Sequence, residues 1–123
     1  MFDTRTVGIK DLNDSEVRFL IAYEFQGYDV FGAIKFAQSE RSFRFMVKNF
    51  GFTEYLLETE WSLQNRASNT GHNFWKLSDT LNNAIFFNTE NDGMYEAICR
   101  AVLIAKKNDD SFTVPICAQL KNV

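Results

Sequence analysis

One histidine, two cysteines and a short run of carboxylates are the side chains in this chain with types suited to chemistry. His72 beside Cys99 or Cys117 would make an activated thiolate nucleophile, provided the fold brought imidazole and sulfur within hydrogen-bond reach. Yet His72 stands alone in the loop "ASNTGHN" (67–73), and it reads there as a solvated turn residue. Zinc needs three or four spaced ligands, and no such set accompanies it. Cys99 falls on the apolar stripe of a helix and reads as a small core residue. Its neighbour Arg100 points another way round that helix, so nothing local lowers the thiol pKa. Cys117 lies in a final strand and is the more exposed of the two, again without a base beside it. Glu58 and Glu60 of "ETE", with Glu54 and Asp79, have the types for an acid–base pair. A charged helix face is ordinarily just solvated, however. The six glycines are scattered and form no phosphate-cradling loop. No catalytic residue, metal site or cofactor follows, and the expectation is a protein that is not an enzyme.

Two residue sets suit binding better. The first is aromatic and acidic: Glu54, Tyr55, Glu58, Trp61 and, further on, Trp75. Tryptophan and tyrosine are over-represented among interface hot spots, although they also fill cores. The second is basic: Arg41, Arg44 and Lys48, which share a face of a strand or neighbour one another on a helix, with Lys35 and Arg66 as further members. "MVKNFGFTEYLLETEWSLQNR" has the helix–glycine–helix outline of a DNA-binding motif. Its second helix carries Glu54, Glu58 and Glu60, the wrong sign for phosphates. A net charge of −3 and a pI near 5.1 likewise draw the whole chain neither to nucleic acid nor to an anionic membrane.

These residues need elements to hold them. At 123 residues the expectation is a single domain over 1–123. A lead-in over the first eight residues suits a strand. "DLNDSEVRFLIAYEFQG" predicts a helix, with Asn13, Asp14 or Ser15 as cap, a stripe of Val17, Leu20, Ile21 and Phe25, and Gly27 as stop. "RSFRFMVKNFG" fits both a strand (Phe43, Phe45, Val47) and a helix (Phe43, Met46, Val47, Phe50, stop at Gly51). Clustered Phe and Val favour the strand. Thr53 is the expected cap of a helix running past Leu56, Leu57, Glu60 and Trp61 to Gln64. Phe74–Leu77 and Ala84–Asn88 read as short strands, with a helix started by Ser78 as the competitor. "MYEAICRAVLIAKK" is a helix capped by Asn91 or Asp92, with Glu96, Arg100 and Lys107 on its polar side; Glu96 and Arg100 have pairing distance. Leu103 falls near that side too, so the helix should be covered on more than one face. Pro115 demotes the last strand to an edge. The fold class is therefore α+β, about three helices on a small, mainly antiparallel sheet, with an all-α domain as the alternative.

"VGIKDLNDSEVRFLIAYEFQGYD" runs from a lysine-containing strand through a polar cap and a helix to a glycine. "DGMYEAICRAVLIAKKNDDSFTVP" places Ala97 and Arg100 in an Ala-x-x-Arg helix that runs into an acidic turn and a valine–proline. Together they resemble the small phage domain of unknown function typified by NinX proteins. That resemblance implies an α+β domain encoded by a phage or prophage; it brings no activity and no functional residues. With no membrane-length apolar run and no export-type amino terminus, a cytoplasmic protein with reduced thiols is expected. Its expected role is that of a small acidic phage or mobile-element factor that inhibits a host defence complex, as an anti-CRISPR protein does, by occluding a binding surface. Its partner would be a host or bacterial protein, with no direct nucleic acid and no membrane. An immunity protein neutralising a toxin is one alternative. A small-molecule binder or enzyme using His72, Cys99 or Cys117 is another. An edge strand bearing Pro115 and exposed aromatics can also meet their copies across a twofold axis in a homodimer.

Overall fold

The computed structural model describes residues 3–39, 42–67, 73–81, 83–89, 93–117 and 120. In chain order the elements are β1 (Thr4–Gly8), α1 (Asp14–Phe25), α2 (Val30–Gln38), α3 (Phe43–Phe50), α4 (Phe52–Glu58), β2 (Ser62–Ala67), β3 (Asn73–Ser78), β4 (Ala84–Phe87), α5 (Met94–Lys107) and β5 (Ser111–Pro115). The class is α+β, with two small antiparallel sheets ordered β1-β5 and β2-β3-β4. Among the described residues the five α-helices exceed the expected three, and the strands exclude the all-α alternative. The chain forms two compact units, Met1–Arg41 with Asp110–Val123, and Ser42–Asp109.

In the first unit, α1 starts where the sequence predicts. Asn13 Oδ1 accepts from Glu16 N at 2.8 Å, and Glu16 Oε1 accepts from Asn13 N at 3.0 Å, a reciprocal cap that satisfies two orphan donors. The second oxygen of Glu16 takes Arg5 Nη2 from β1 at 2.5 Å, so this carboxylate, only 2% exposed, is paired. Asn13 also donates through Nδ2 to Leu120 O at 2.7 Å. Val17, Leu20 and Ile21 form the buried stripe. α2, which the sequence reading did not anticipate, is capped by Asp29, whose Oδ1 accepts from Gly32 N at 2.7 Å. Gly32 keeps that turn open: a Cβ there would stand 3.1 Å from the same oxygen. Arg18 of α1 donates to Ala37 O at 3.1 Å and holds the end of α2. β1 pairs with β5 from Thr4↔Pro115 to Gly8↔Ser111, which seats the proline at the end of a two-stranded ladder, where its missing N–H costs little.

In the second unit, α3 and α4 pack against α5. α5 is buried at every residue from Glu96 to Ile104, so Leu103 is covered as expected. Two of its three expected polar residues are covered as well: Glu96 and Arg100 are 3% and 2% exposed and pair at 3.2 Å, whereas Lys107 is exposed. Gly93 holds the cap position without a side-chain bond; Asn91 and Asp92 lie outside the described residues.

Two expectations are corrected here. Residues 43–50, favoured as a strand, are helical. Ser42 Oγ accepts from Phe45 N at 3.1 Å to start the helix. Met46 and Val47 are its buried pair, worth about 1.5–3 kcal/mol each by area. Phe45, inward in the strand reading, is 39% exposed. Gly51, at φ +68°, ends α3 and begins α4, displacing Thr53 as the cap. The second correction is the helix expected to reach Gln64, which stops at Glu58. Thr59 Oγ1 binds Tyr55 O at 2.9 Å, and Glu60 turns the chain with φ +63°. Trp61 then leads into β2, and Gln64 is a strand residue. β3 and β4 stand where the sequence predicts, and no helix starts at Ser78.

Two outcomes are expected in urea denaturation. Arg100→Leu removes a buried ion-pair partner of Glu96 and should lower stability by up to about 3–5 kcal/mol, whereas Glu96→Leu with Arg100→Leu should recover part of that loss. Gly51→Ala meets no crowding but forces an L-residue into the left-handed region, costing about 1–2 kcal/mol.

Candidate functional site

The second unit carries an apolar cleft of about 510 Å³. α4 contributes Thr53, Leu56 and Leu57; the turn after it contributes Glu60 and Trp61. β2 adds Ser62 and Leu63, β3 adds Trp75, and the start of α5 adds Met94 and Ile98. Leu56 and Ile98 are buried, whereas Leu57 is 74% and Met94 52% exposed, so the cleft has an apolar floor and an apolar mouth. The early end of α4 builds this shape. Because Glu60 reverses the chain, Trp61 comes to the cleft from the turn while β2 carries Leu63 back along it. Strand alternation then places Trp75 on the same sheet face as Leu63 and Leu77. Trp75 Nε1 donates to Thr89 Oγ1 at 3.3 Å, which orients the indole.

The first sequence set is therefore brought together in part. Trp61 and Trp75 line one cleft. Glu54 and Glu58 are exposed on α4 beside it. Tyr55 does not line it; that residue is half-buried, and desolvation raises its hydroxyl pKa. Of the basic set, Arg44 and Lys48 are exposed one turn apart on α3, with the Arg44 guanidinium 5.9 Å from the Tyr95 ring centroid. Neither lines the cleft, and Arg41 lies outside the described residues, as does His72. The helix–glycine–helix outline is present as α3–Gly51–α4, but α4 has only seven residues and bears Glu54 and Glu58. Sequence reasoning missed the apolar wall. Leu57 and Met94 looked like ordinary core residues, and only their exposure distinguishes them.

Two of the candidate chemical groups, Cys99 and Asp79, are engaged within the fold. Cys99 is fully buried, its thiol donating to Phe43 O at 3.9 Å. Burial pushes its pKa up, the Glu96 carboxylate pushes it further, and Arg100 opposes them. Both cysteines are free, and Cys117 is half-buried against a smaller cavity of about 210 Å³ that includes Arg5 and Glu16. The Asp79 carboxylate accepts from Asn83 Nδ2 at 3.1 Å, Leu81 N at 2.9 Å and Asn83 N at 3.0 Å, which lowers its pKa and fixes the β3–β4 turn. Glu60 is the one titratable side chain among the described residues lining the cleft. A cleft so lined can hold an apolar group and stack it on indoles; it offers no proton donor–acceptor pair.

No protein-family model matches the chain, and no curated protein or solved structure does either. No described helix is long and apolar enough to cross a membrane.

The burial of Cys99 sets a thiol prediction. A thiol reagent at neutral pH should modify Cys117 rapidly and Cys99 only after denaturant is added. Cys99 stays protonated in the fold but ionises when unfolded above the ordinary thiol pKa of about 8.5. Its contribution is fully present below that pH and declines above it. Denaturation midpoints should fall above pH 8.5 in wild type and less in Cys99→Ala.

Proposed function

We propose that this protein acts by binding a protein partner, whose apolar anchor enters the cleft between Trp61 and Trp75. The observation that carries this reading is the exposure of Leu57 and Met94, 74% and 52%, at the mouth of that cleft. Apolar side chains kept in water at the edge of an apolar pocket are the pattern of a docking site. Charge narrows the partner. Glu60 lines the cleft, Glu54 and Glu58 stand exposed on α4, and no lysine or arginine is among the described lining residues. A basic surface with a protruding apolar side chain complements this arrangement.

A basic surface of that kind ordinarily serves nucleic acid, so occupying it would inhibit. This supports the reading as a small acidic inhibitor of a host defence complex. The resemblance of the terminal segments to a phage domain adds a phage or mobile-element origin. An immunity protein would use the same geometry against a basic toxin. The cleft volume of about 510 Å³ also suits a small apolar ligand, the second reading.

Tagged wild type and Leu57→Glu, exposed in lysate of a bacterial host, separate these. The expected result is one basic partner at stoichiometric yield with wild type and at least tenfold less with Leu57→Glu, whose far-UV circular dichroism is unchanged. A partner retained equally by the variant, or none recovered at all, overturns the proposal.

A further inference from the structure

The three-stranded sheet has a second face whose chemistry differs from that of the cleft. Its register aligns Arg66 with Phe74, Gln64 with Lys76, and Lys76 with Phe86. Leu77 and Phe87 mark the covered side, at 0% and 3% exposure. Alternation sends Gln64, Arg66, Phe74, Lys76 and Phe86 to the opposite side. There the Phe74 and Phe86 rings touch, with centroids 5.7 Å apart, and Phe86 is 53% exposed. Each ring has a cation directly across the ladder: Arg66 for Phe74 and Lys76 for Phe86. The other described positions on this face that do not line the cleft, Gln64, Ser78 and Ala84, carry no carboxylate. Among the described residues, neither Arg66 nor Lys76 makes an ion pair.

We infer that this outer face of the sheet binds single-stranded nucleic acid, bases stacking on Phe74 and Phe86 and phosphates meeting Arg66 and Lys76. Exposed aromatic rings interleaved with cations on a sheet surface satisfy both halves of a nucleotide at once. Other occupants satisfy only one half. A second copy would bring Arg66 and Lys76 against the same charges. An acidic peptide would answer the cations but offer the two rings no aromatic base to stack on them. The net charge of −3, which argues against nucleic acid for the chain as a whole, does not describe this face, where the described charges are both positive. The inference rests on side chains other than those of the cleft and stands apart from the proposed protein partner.

Fluorescence anisotropy of a labelled twelve-nucleotide oligo(dT), and of its oligo(rU) counterpart, tests it with the full chain. Expected is saturable binding at low salt, with log K falling against log salt at a slope of about −1.4 for two phosphate contacts. Phe86→Ala should weaken binding about 5- to 150-fold, the loss of one stacked base. Arg66→Glu with Lys76→Glu should abolish it, while Leu57→Glu leaves it unchanged. Circular dichroism of each variant separates lost contact from lost fold, and Phe86, already exposed, is the substitution least able to unfold the chain. Absence of saturable binding at low salt overturns the inference. So does equal binding by the folded Phe86→Ala protein, or competition by a poly-glutamate peptide as effective as unlabelled oligonucleotide.

Discussion

The second unit is organised by an ion pair that water cannot reach. α5 is covered from Glu96 to Ile104, a stretch that holds one acid and one base. Each alone would cost several kcal/mol to bury. At the i, i+4 spacing on a single helix they meet each other directly, which lets the helix be covered along this stretch. That freedom lets α3 and α4 lie against the same helix, and it brings Met94 and Ile98 to the cleft. In the first unit, Glu16 plays a similar part on a smaller scale, closing a helix cap with one oxygen and binding β1 through Arg5 with the other.

The three-stranded sheet is where the two candidate surfaces divide. Successive residues of one strand serve opposite sides: Trp75 lines the cleft, whereas Phe74 and Lys76 face away from it. The cleft side is apolar with carboxylates near its mouth; the other side is aromatic with cations. A strand needs no long-range arrangement to achieve this separation, because the pleat performs it at every step. A shift of register by one residue would exchange the two sets, which makes the Asp79-anchored β3–β4 turn a determinant of both surfaces.

The elements readable in the sequence were those whose ends are chemically marked. Asn13 with Glu16 announces α1, and the wide apolar arc of α5 announces a covered helix. The misread segments share a different property. Over residues 43–50 the apolar residues satisfy both the period of a strand and that of a helix, and the decision falls to Ser42 and Gly51 at the borders. After Glu58 the helical pattern continues on paper, but Thr59 binds a carbonyl of the preceding turn and Glu60 takes a left-handed conformation. Neither event shows in hydrophobic spacing. α2 went unread because its cap, Asp29 on Gly32, looks like an ordinary turn. The candidate site was half visible. The two tryptophans could be named from residue type, whereas exposed Leu57 and Met94 acquire meaning only once burial is known. The aromatic–cationic face needed the register that aligns Arg66 with Phe74 and Lys76 with Phe86.

The pairing of β1 with β5 has a consequence in time. One compact unit is assembled from both ends of the described chain, and the whole of the other is synthesised between them. On the ribosome β1 emerges before its partner β5 and waits unpaired until residues 111–115 have been translated. The segment from Ser42 to Asp109 has all its own strand partners by then and can close first. Maturation is thus ordered from the middle of the chain outward, and the slow, long-separation ladder comes last.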